Sequence, residues 1–474
     1  MNATASTQTT TQNHLNPPPQ QSIFKKGISL GLIGVCAAGV AYSMFSNNMG
    51  LAVFSLLFLS LLIGLPIAIS LGIASIVSIY FFTTDPMSDL AGKIFSGLNS
   101  FPLMAIPFFV LAGNVFTTGG VAKRLINLTY AWVGHIPGGL SIAGVMSCAL
   151  FAAISGSSPA TVVAIGSVMI PAMVNHGYKK DYAVGSISTA GSLGILIPPS
   201  IPMIAYCVTV EQSVGKMFLA GIVPGILLAI MMAVVSYYIA KKKGFARAEK
   251  ASMGERLKAF KDAIWSLSLP LLIIGGIYSG IFTPTESAAV AAIFGIIIGL
   301  FVHKDLKMKD LPRILVDSAK TTAMLFFIIT MAMLFAHILT LERIPYVIAD
   351  WITEMDMSKI TFLIIVNLLL FVAGQFMEPT AIITIFAPIL FPVAIALGVD
   401  PIHFGIIIIV NMEIGMITPP VGLNLYVASG ISKMSLLDVS KAAIPWLLAV
   451  IVGLILITYV PSISLWLPNF LYSL

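Results

Sequence analysis

Proline recurs in this chain at a fixed interval. Pro171, Pro198, Pro199 and Pro224 each have a partner 221 residues later, at Pro392, Pro419, Pro420 and Pro445, and Pro159 has one at 220, Pro379. With proline at 27 of 474 positions, four coincidences at one offset mark two copies of one unit. Each copy carries a Pro-Pro pair inside an apolar stretch, where proline removes helical N–H donors and crowds the preceding turn. Duplicated units with interrupted helices, set in a membrane, are the build of transporters that hold cargo at the interruptions.

Composition makes the membrane the solvent. Hydrophobic residues form 58% of the chain and charged residues 9%, and the mean hydropathy is +1.01. Apolar stretches of spanning length lie at 27–46, 51–82, 101–117, 214–240, 263–281, 284–303, 317–340 and 441–460. The formal charge of +6 sits in short connections, where it sets orientation, and points to no nucleic-acid partner. Cys36, Cys148 and Cys207 fall in apolar stretches without metal-ligand spacing and read as packing residues. The scattered histidines show no ligand spacing, and no P-loop, G-x-S-x-G or H-E-x-x-H motif is present, which excludes direct ATP use, esterase and protease readings and leaves no enzyme.

The chain divides into a polar, disordered tail at 1–23, an extra N-terminal apolar helix at 24–50, a first repeat at 51–240, a basic cytoplasmic loop at 241–262 and a second repeat at 263–474. Within the repeats, 138–175 and 358–396 are paired apolar pieces joined at a polar, proline-containing tip. Residues 178–210 and 401–431 are spans broken near the middle by Pro-Pro, and amphipathic pieces at 120–134 and 343–356 precede the tip-bearing regions. The 241–262 segment carries eight Lys/Arg against three acids and belongs in the cytoplasm. Basic residues at 303–313, Lys179-Lys180, Lys433 and Lys441 then fall on the same side only if both tip-bearing regions enter and leave on one face. An odd number of crossings separates them, so the copies are inverted. The expected fold is an all-α polytopic membrane protein with inverted repeats, two re-entrant helical hairpins and two broken helices. Lys25-Lys26 disagree with this count unless 51–82 turns near Gly64-Leu65-Pro66 or 27–46 lies along the interface.

The tips and breaks are where chemistry belongs. At Ser155-Gly156-Ser157-Ser158-Pro159-Ala160-Thr161, Pro159 suits the first turn of a helix and Ser158 its N-cap, so free N–H groups and a positive helix end face the tip. A carboxylate matches that end, and the serine hydroxyls suit either a carboxylate or a small cation. At Gly191 to Ser200, a stretch that includes Ser192 and Gly194, Pro198 and Pro199 leave carbonyls of the preceding turn free to bind a hard cation. The second copy places Glu378 before Pro379-Thr380 at its tip, as an intramembrane acid open to a cation, a proton or a substrate hydroxyl, or as a helix N-terminal acid stabilised by the dipole. Its break carries Glu413, Gly415, Thr418, Pro419, Gly422 and Asn424. Glu413 reads equally as a cation-site acid or a paired structural charge. Thr283-Pro284-Thr285-Glu286 fits a structural capping box.

Six stretches resemble one known family, the large membrane subunit of TRAP transporters. They are IGLPIAISLG (63–72), SFPLMAIPFFVLAGNVFTTGG (100–120), SGSSPATVVAIGSVMIP (155–171), GSLGILIPPSIPMI (191–204), FTPTESAAVAA (282–292) and MITPPVGLNLYV (416–427). The resemblance implies a multi-pass permease of the bacterial inner membrane with an ion-transporter-type elevator fold. It implies a small membrane subunit and a periplasmic substrate-binding protein as partners, membrane lipid around it, and Na⁺ as the co-transported ion. By motif, Na⁺ falls to Ser157, Ser158, Gly194 and Pro198 in one half and to Thr380, Gly415, Thr418 and Pro419 in the other. The organic-acid substrate falls near Ser155, Ser200, Glu378 and Asn424. Glu378 stands where relatives often carry Asp. Residues 1–50 resemble the connecting helix of fused subunits, which leans the substrate towards sialic acid over a C4-dicarboxylate. A membrane channel for small ions is the alternative class, although the small and polar residues gather at two symmetric breaks and not in a pore ring.

Overall fold

The computed structural model describes residues 23–472, apart from 84–90, 93, 96–97, 119, 246, 345–346, 348–349 and 351–356. Residues 1–22 of the expected tail and most of the amphipathic piece at 343–356 lie outside the described residues. Every regular element among the described residues is helical.

Three helices open the chain: α1 (Ile23–Ser46), α2 (Met49–Ile63) and α3 (Ile67–Phe82). The 51–82 stretch turns where glycine and proline permit it. Gly64 adopts φ +93°, a left-handed conformation that closes α2, and Pro66 then leads into α3. Helices α2 and α3 pack side by side, and α3 also lies along a long helix of the second half. The chain thus turns near Gly64-Leu65-Pro66, one of the two ways named to reconcile the N-terminal charges.

The two halves then follow one order. In the first, α4 (Ala105–Thr118) and α5 (Val121–Val133) precede a hairpin of α6 (Gly139–Ser155) and α7 (Ser158–Asn175). A broken span of α8 (Lys180–Ala190) and α9 (Ile201–Thr209) follows, then α10 (Val214–Lys243). In the second, α11 (Met253–Tyr278), α12 (Pro284–Ile297) and α13 (Leu311–Leu341) precede a hairpin of α14 (Lys359–Gly374) and α15 (Pro379–Ala396). Its broken span is α16 (Pro401–Met416) and α17 (Leu423–Ser432), followed by α18 (Leu436–Tyr459) and a short α19 (Ser462–Tyr472). Both Pro-Pro bonds, Pro198–Pro199 and Pro419–Pro420, are cis.

Two boundaries differ from the sequence reading. The basic stretch 241–262 is largely helix, not loop: α10 runs through Lys243 and α11 starts at Met253, leaving a connection of 244–252. Ser252 and Glu255 form a capping box there, so the charged residues ride on helix ends beyond the apolar spans. Eight helices among the described residues are long and apolar enough to cross a membrane. They include α7 and α15, the second arms of the hairpins, and they exclude α2 and α3, which the Gly64 turn shortens.

Buried residues of both halves form one continuous core running through the hairpins, broken spans, α10 and α18. A smaller cluster joins α2 and α3 to α13 and to Ile385 and Ile389 of α15. Outside these, large apolar side chains face outward, among them Leu271 at 72% and Leu368 at 61% exposure, as hydrocarbon solvent allows. Cys148 and Cys207 are buried as expected, whereas Cys36 is half-buried.

Candidate substrate and cation site

In the first half the hairpin tip is seated on the break. Gly156 ends α6 at φ +61°, and a Cβ there would lie 2.8 Å from the Pro199 carbonyl oxygen. Gly194, in the 3₁₀ turn after α8, is closer still: its Cβ would meet the Ser157 carbonyl oxygen at 2.6 Å and the Ser158 nitrogen at 2.7 Å. Glycine at both positions lets two backbones touch. Ser158 joins them through a hydroxyl that donates to the Ser192 carbonyl at 2.8 Å. The cap is shifted by one residue from the sequence reading. Ser157, extended at φ −140°, is the N-cap, and Ser158 is already the first helical residue, with Pro159 following in the same turn.

Hydroxyls fill the inside of this tip. Ser155 Oγ lies 2.9 Å from Thr161 Oγ1, which donates to the Ser157 carbonyl at 2.9 Å. Pro198 and Pro199 offer no N–H to the carbonyls of Gly194 and Ile195. The Ile195 carbonyl takes the Ser200 hydroxyl instead, at 2.5 Å, while Ser200 Oγ caps α9 by accepting the Met203 N–H at 3.4 Å. Ser155, Ser157, Ser158, Gly194, Pro198 and Ser200 thus belong to one knot of tip and break. Thr161 and Ser192 stood in the tip and break read from the sequence without a role of their own: Thr161 bonds within the tip, and the Ser192 carbonyl accepts the Ser158 hydroxyl. Gly113 of α4, which sequence reasoning missed, backs the tip, a Cβ there falling 3.0 Å from the Ser155 carbonyl oxygen. The spacing Ser157-x-x-x-Thr161 was the available signal for Thr161, since residues four apart share a helix face.

The second half uses the same principle with different contacts. Gly415 stands 221 residues after Gly194, but its Cβ would meet Gly374 of α14, 2.5 Å from that residue's Cα, and not the cap of α15. The Val421 N–H donates to the Gln375 carbonyl at 3.1 Å, tying the far side of the break to the tip. Glu378 is the N-cap of α15. Its Oε2 accepts the Ala381 N–H at 3.2 Å and its Oε1 accepts the Thr380 hydroxyl at 2.9 Å. Both oxygens are therefore turned onto their own helix end. The Thr418 hydroxyl donates back to the Ile414 carbonyl at 2.7 Å. Gly415, Thr418 and Pro419 share the break, and Thr380 lies across from it at the tip. No hydrogen bond among the described residues joins Thr380 to Thr418.

Polar atoms of three side chains near the second break remain without partners among the described residues. Both oxygens of Glu413, both polar atoms of the Asn424 amide and Asn411 Oδ1 are buried with no hydrogen-bond partner among the described residues. A buried carboxylate so placed is costly unless a cation, proton or ligand satisfies it. The paired-structural-charge reading of Glu413 finds no partner. Its counterpart at 221 residues, Ser192, likewise has an unpartnered buried hydroxyl, and the 3₁₀ turn that carries it packs against α16. Asn411 Nδ2 meanwhile bonds Asn367 Oδ1 at 2.7 Å, fastening α16 to α14. Glu286 has the structural role read from the sequence, its Oε2 accepting the Thr283 N–H at 2.8 Å in a complete capping box.

Two-helix hairpins whose tips rest on proline-broken spans are the build of a polytopic membrane transport protein. Residues 54–463 match the family model described as Tripartite ATP-independent periplasmic transporter, DctM component. The C4-dicarboxylate TRAP transporter large permease protein DctM of Rhodobacter capsulatus is 53% identical over 435 residues, spanning 89% of this chain and 99% of that one. The sialic acid TRAP transporter large permease protein SiaM of Vibrio cholerae is 35% identical, spanning 86% of this chain and 95% of that one. In fold, the chain is similar to the crystal structure of the Alcanivorax borkumensis YdaH transporter, with a TM-score of 0.58 at 15% identity over 80% of this chain and 87% of that one. The chain belongs to the DctM family of TRAP transporter large permeases, and it is a multi-pass integral membrane protein.

Proposed function

We propose that this chain is the permease subunit of a Na⁺-coupled importer of a C4-dicarboxylate. A periplasmic binding protein delivers the substrate and a small membrane subunit completes the complex. The observation that carries the reading is the seating of both hairpin tips on breaks through glycine contacts, at Gly194 on Ser157 and at Gly415 on Gly374. Such junctions bring together serine and threonine hydroxyls, backbone carbonyls released by Pro198 and Pro419, and the positive N-terminal ends of α7 and α15. Carbonyls and hydroxyls suit a hard cation, and helix N-termini suit a carboxylate. Unpartnered Glu413 and Asn424 add an acid and an amide beside the second junction. The hairpins are re-entrant and opposite in sense, and the substrate lies between them near Ser155, Ser200 and Glu378. The domain that carries the tips and breaks moves across the membrane as an elevator.

A C4-dicarboxylate is preferred to sialic acid because identity is 53% to a permease named for the former and 35% to one named for the latter. The lean towards sialic acid drawn from residues 1–50 carries less weight than that difference over more than four fifths of the chain. The test is uptake of labelled succinate and of sialic acid into proteoliposomes holding this chain and its small subunit. Succinate accumulation that needs both inward-directed Na⁺ and added binding protein is the expected result. Ion conductance without substrate, or uptake indifferent to Na⁺, overturns the reading.

A further inference from the structure

Away from the hairpin tips, the ends of three helices meet around a cleft of about 510 Å³. Lys180 opens α8, Lys243 closes α10 and Lys441 stands in the second turn of α18, and all three line this cleft. Each is exposed, and among the described residues none has a carboxylate within ion-pairing distance. Asp181 and Asp438 also line the cleft, each in the first turn of its helix, where the positive helix end holds an acid. Asp438 Oδ2 is further engaged by the Ser435 hydroxyl at 2.6 Å.

The floor of the cleft is aromatic and tied from behind. Tyr182 and Trp446 are buried, with rings edge to face at 5.1 Å between centroids. Trp446 Nε1 donates to Ser236 Oγ at 2.9 Å and the Tyr182 hydroxyl to the Ser236 carbonyl at 2.8 Å, so both polar ends point into α10 and away from the cleft. The flanks face hydrocarbon. Lys441 falls in one helical stripe with the exposed Leu437, Ile444 and Leu448, and α10 presents Ile230, Val234 and Tyr238 in a stripe that runs towards its terminal lysines.

A cationic rim at the polar end of two apolar stripes, above an aromatic floor, fits an amphiphile. A phosphodiester meets the ammonium groups while the glycerol and first acyl carbons lie against Ile239 and Pro445. A free phosphate has use for the lysines but not for the stripes. We infer that this cleft binds the headgroup of an anionic phospholipid at the basic, cytoplasmic end of α8, α10 and α18.

The experiment is native mass spectrometry of the purified full-length chain titrated with phosphatidylglycerol, cardiolipin or phosphatidylcholine. Anionic lipid is expected to bind in preference to phosphatidylcholine. Its affinity is expected to fall about tenfold or more in the K180Q/K243Q/K441Q variant, and roughly threefold in K441Q alone. The K250Q/K258Q variant, altered elsewhere on the same face, retains wild-type binding. Monodisperse elution establishes that each variant is folded, and K441Q carries the test if the triple variant is not. Wild-type affinity in the folded variants, equal binding of phosphatidylcholine, or displacement of the lipid by excess inorganic phosphate overturns the proposal.

Discussion

Gly194 and Gly415 are the residues on which the site turns. At each, an added methyl group meets backbone, at 2.6 Å from Ser157 O and 2.5 Å from Gly374 Cα, and backbone has no rotamer in which to give way. Overpacking of this kind costs about 1–3 kcal/mol, and here it falls on the junction of tip and break. Gly194→Ala and Gly415→Ala are expected to reduce Na⁺-driven uptake at least tenfold while the protein still inserts. Gly430→Ala, where nothing lies within 4 Å, is expected to behave as wild type. Parallel transport assays and membrane yields check this, and equal activity of all three removes the junctions from the mechanism. The acids separate similarly. Glu413→Gln is expected to weaken the Na⁺ dependence of uptake, because it alters an unpartnered carboxylate, and Glu378→Gln to impair uptake more than Glu286→Gln does. Initial rates against Na⁺ concentration for the three variants decide the order. Glu378 was legible in the sequence as an acid at a tip that either serves a ligand or stabilises its own helix end, and the structure turns it onto Thr380 and Ala381. A side chain's choice between ligand and helix cap depends on a rotamer that spacing does not reveal.

Among the elements, the broken spans were the most readable, because Pro-Pro interrupts a helix wherever it falls. The structure adds what fills each interruption: Ser200 returning to Ile195 in the first, and Val421 reaching Gln375 of the hairpin in the second. Replacing Pro198 and Pro199 by alanine restores two N–H donors to the turn above and favours a continuous helix. That double variant is expected to lose Na⁺-dependent uptake while retaining helical content by circular dichroism. Full activity places the cation elsewhere. The two halves are not copies at this level. Equivalent glycines touch a cap in one hairpin and the end of the preceding arm in the other, so the proline interval predicts which segments meet but not which atoms. The 241–262 segment shows the converse error, since its charge marked it as a loop while hiding that Ser252 and Glu255 start a helix within it.

Across the whole molecule, the order of hairpin, broken span and long helix occurs twice, and one hydrophobic core binds the repeats together. The charge pattern leads us to expect the 241–262 connection on the cytoplasmic side and α19 on the opposite face. Cysteines introduced at Lys258 and Asn469 are therefore expected to react with an impermeant thiol reagent from opposite sides of the membrane in intact and inverted vesicles. Labelling of both from one side breaks the topology on which the inverted hairpins rest. The turn at Gly64 divides 51–82 into two helices, because in a stretch that is apolar throughout only a left-handed glycine followed by proline marks the reversal.

The amino-acid sequence alone determined the membrane class, the duplication, the two interruptions and the family, since these depend on composition, period and local backbone chemistry. Tertiary structure decided which backbones touch, which hydroxyls are spent on their own helices, and which groups, Glu413 and Asn424 above all, are buried without a partner. Those outcomes follow from packing between segments far apart in the chain, where contact at a glycine or an orphaned carboxylate is set by three-dimensional proximity that no local pattern encodes.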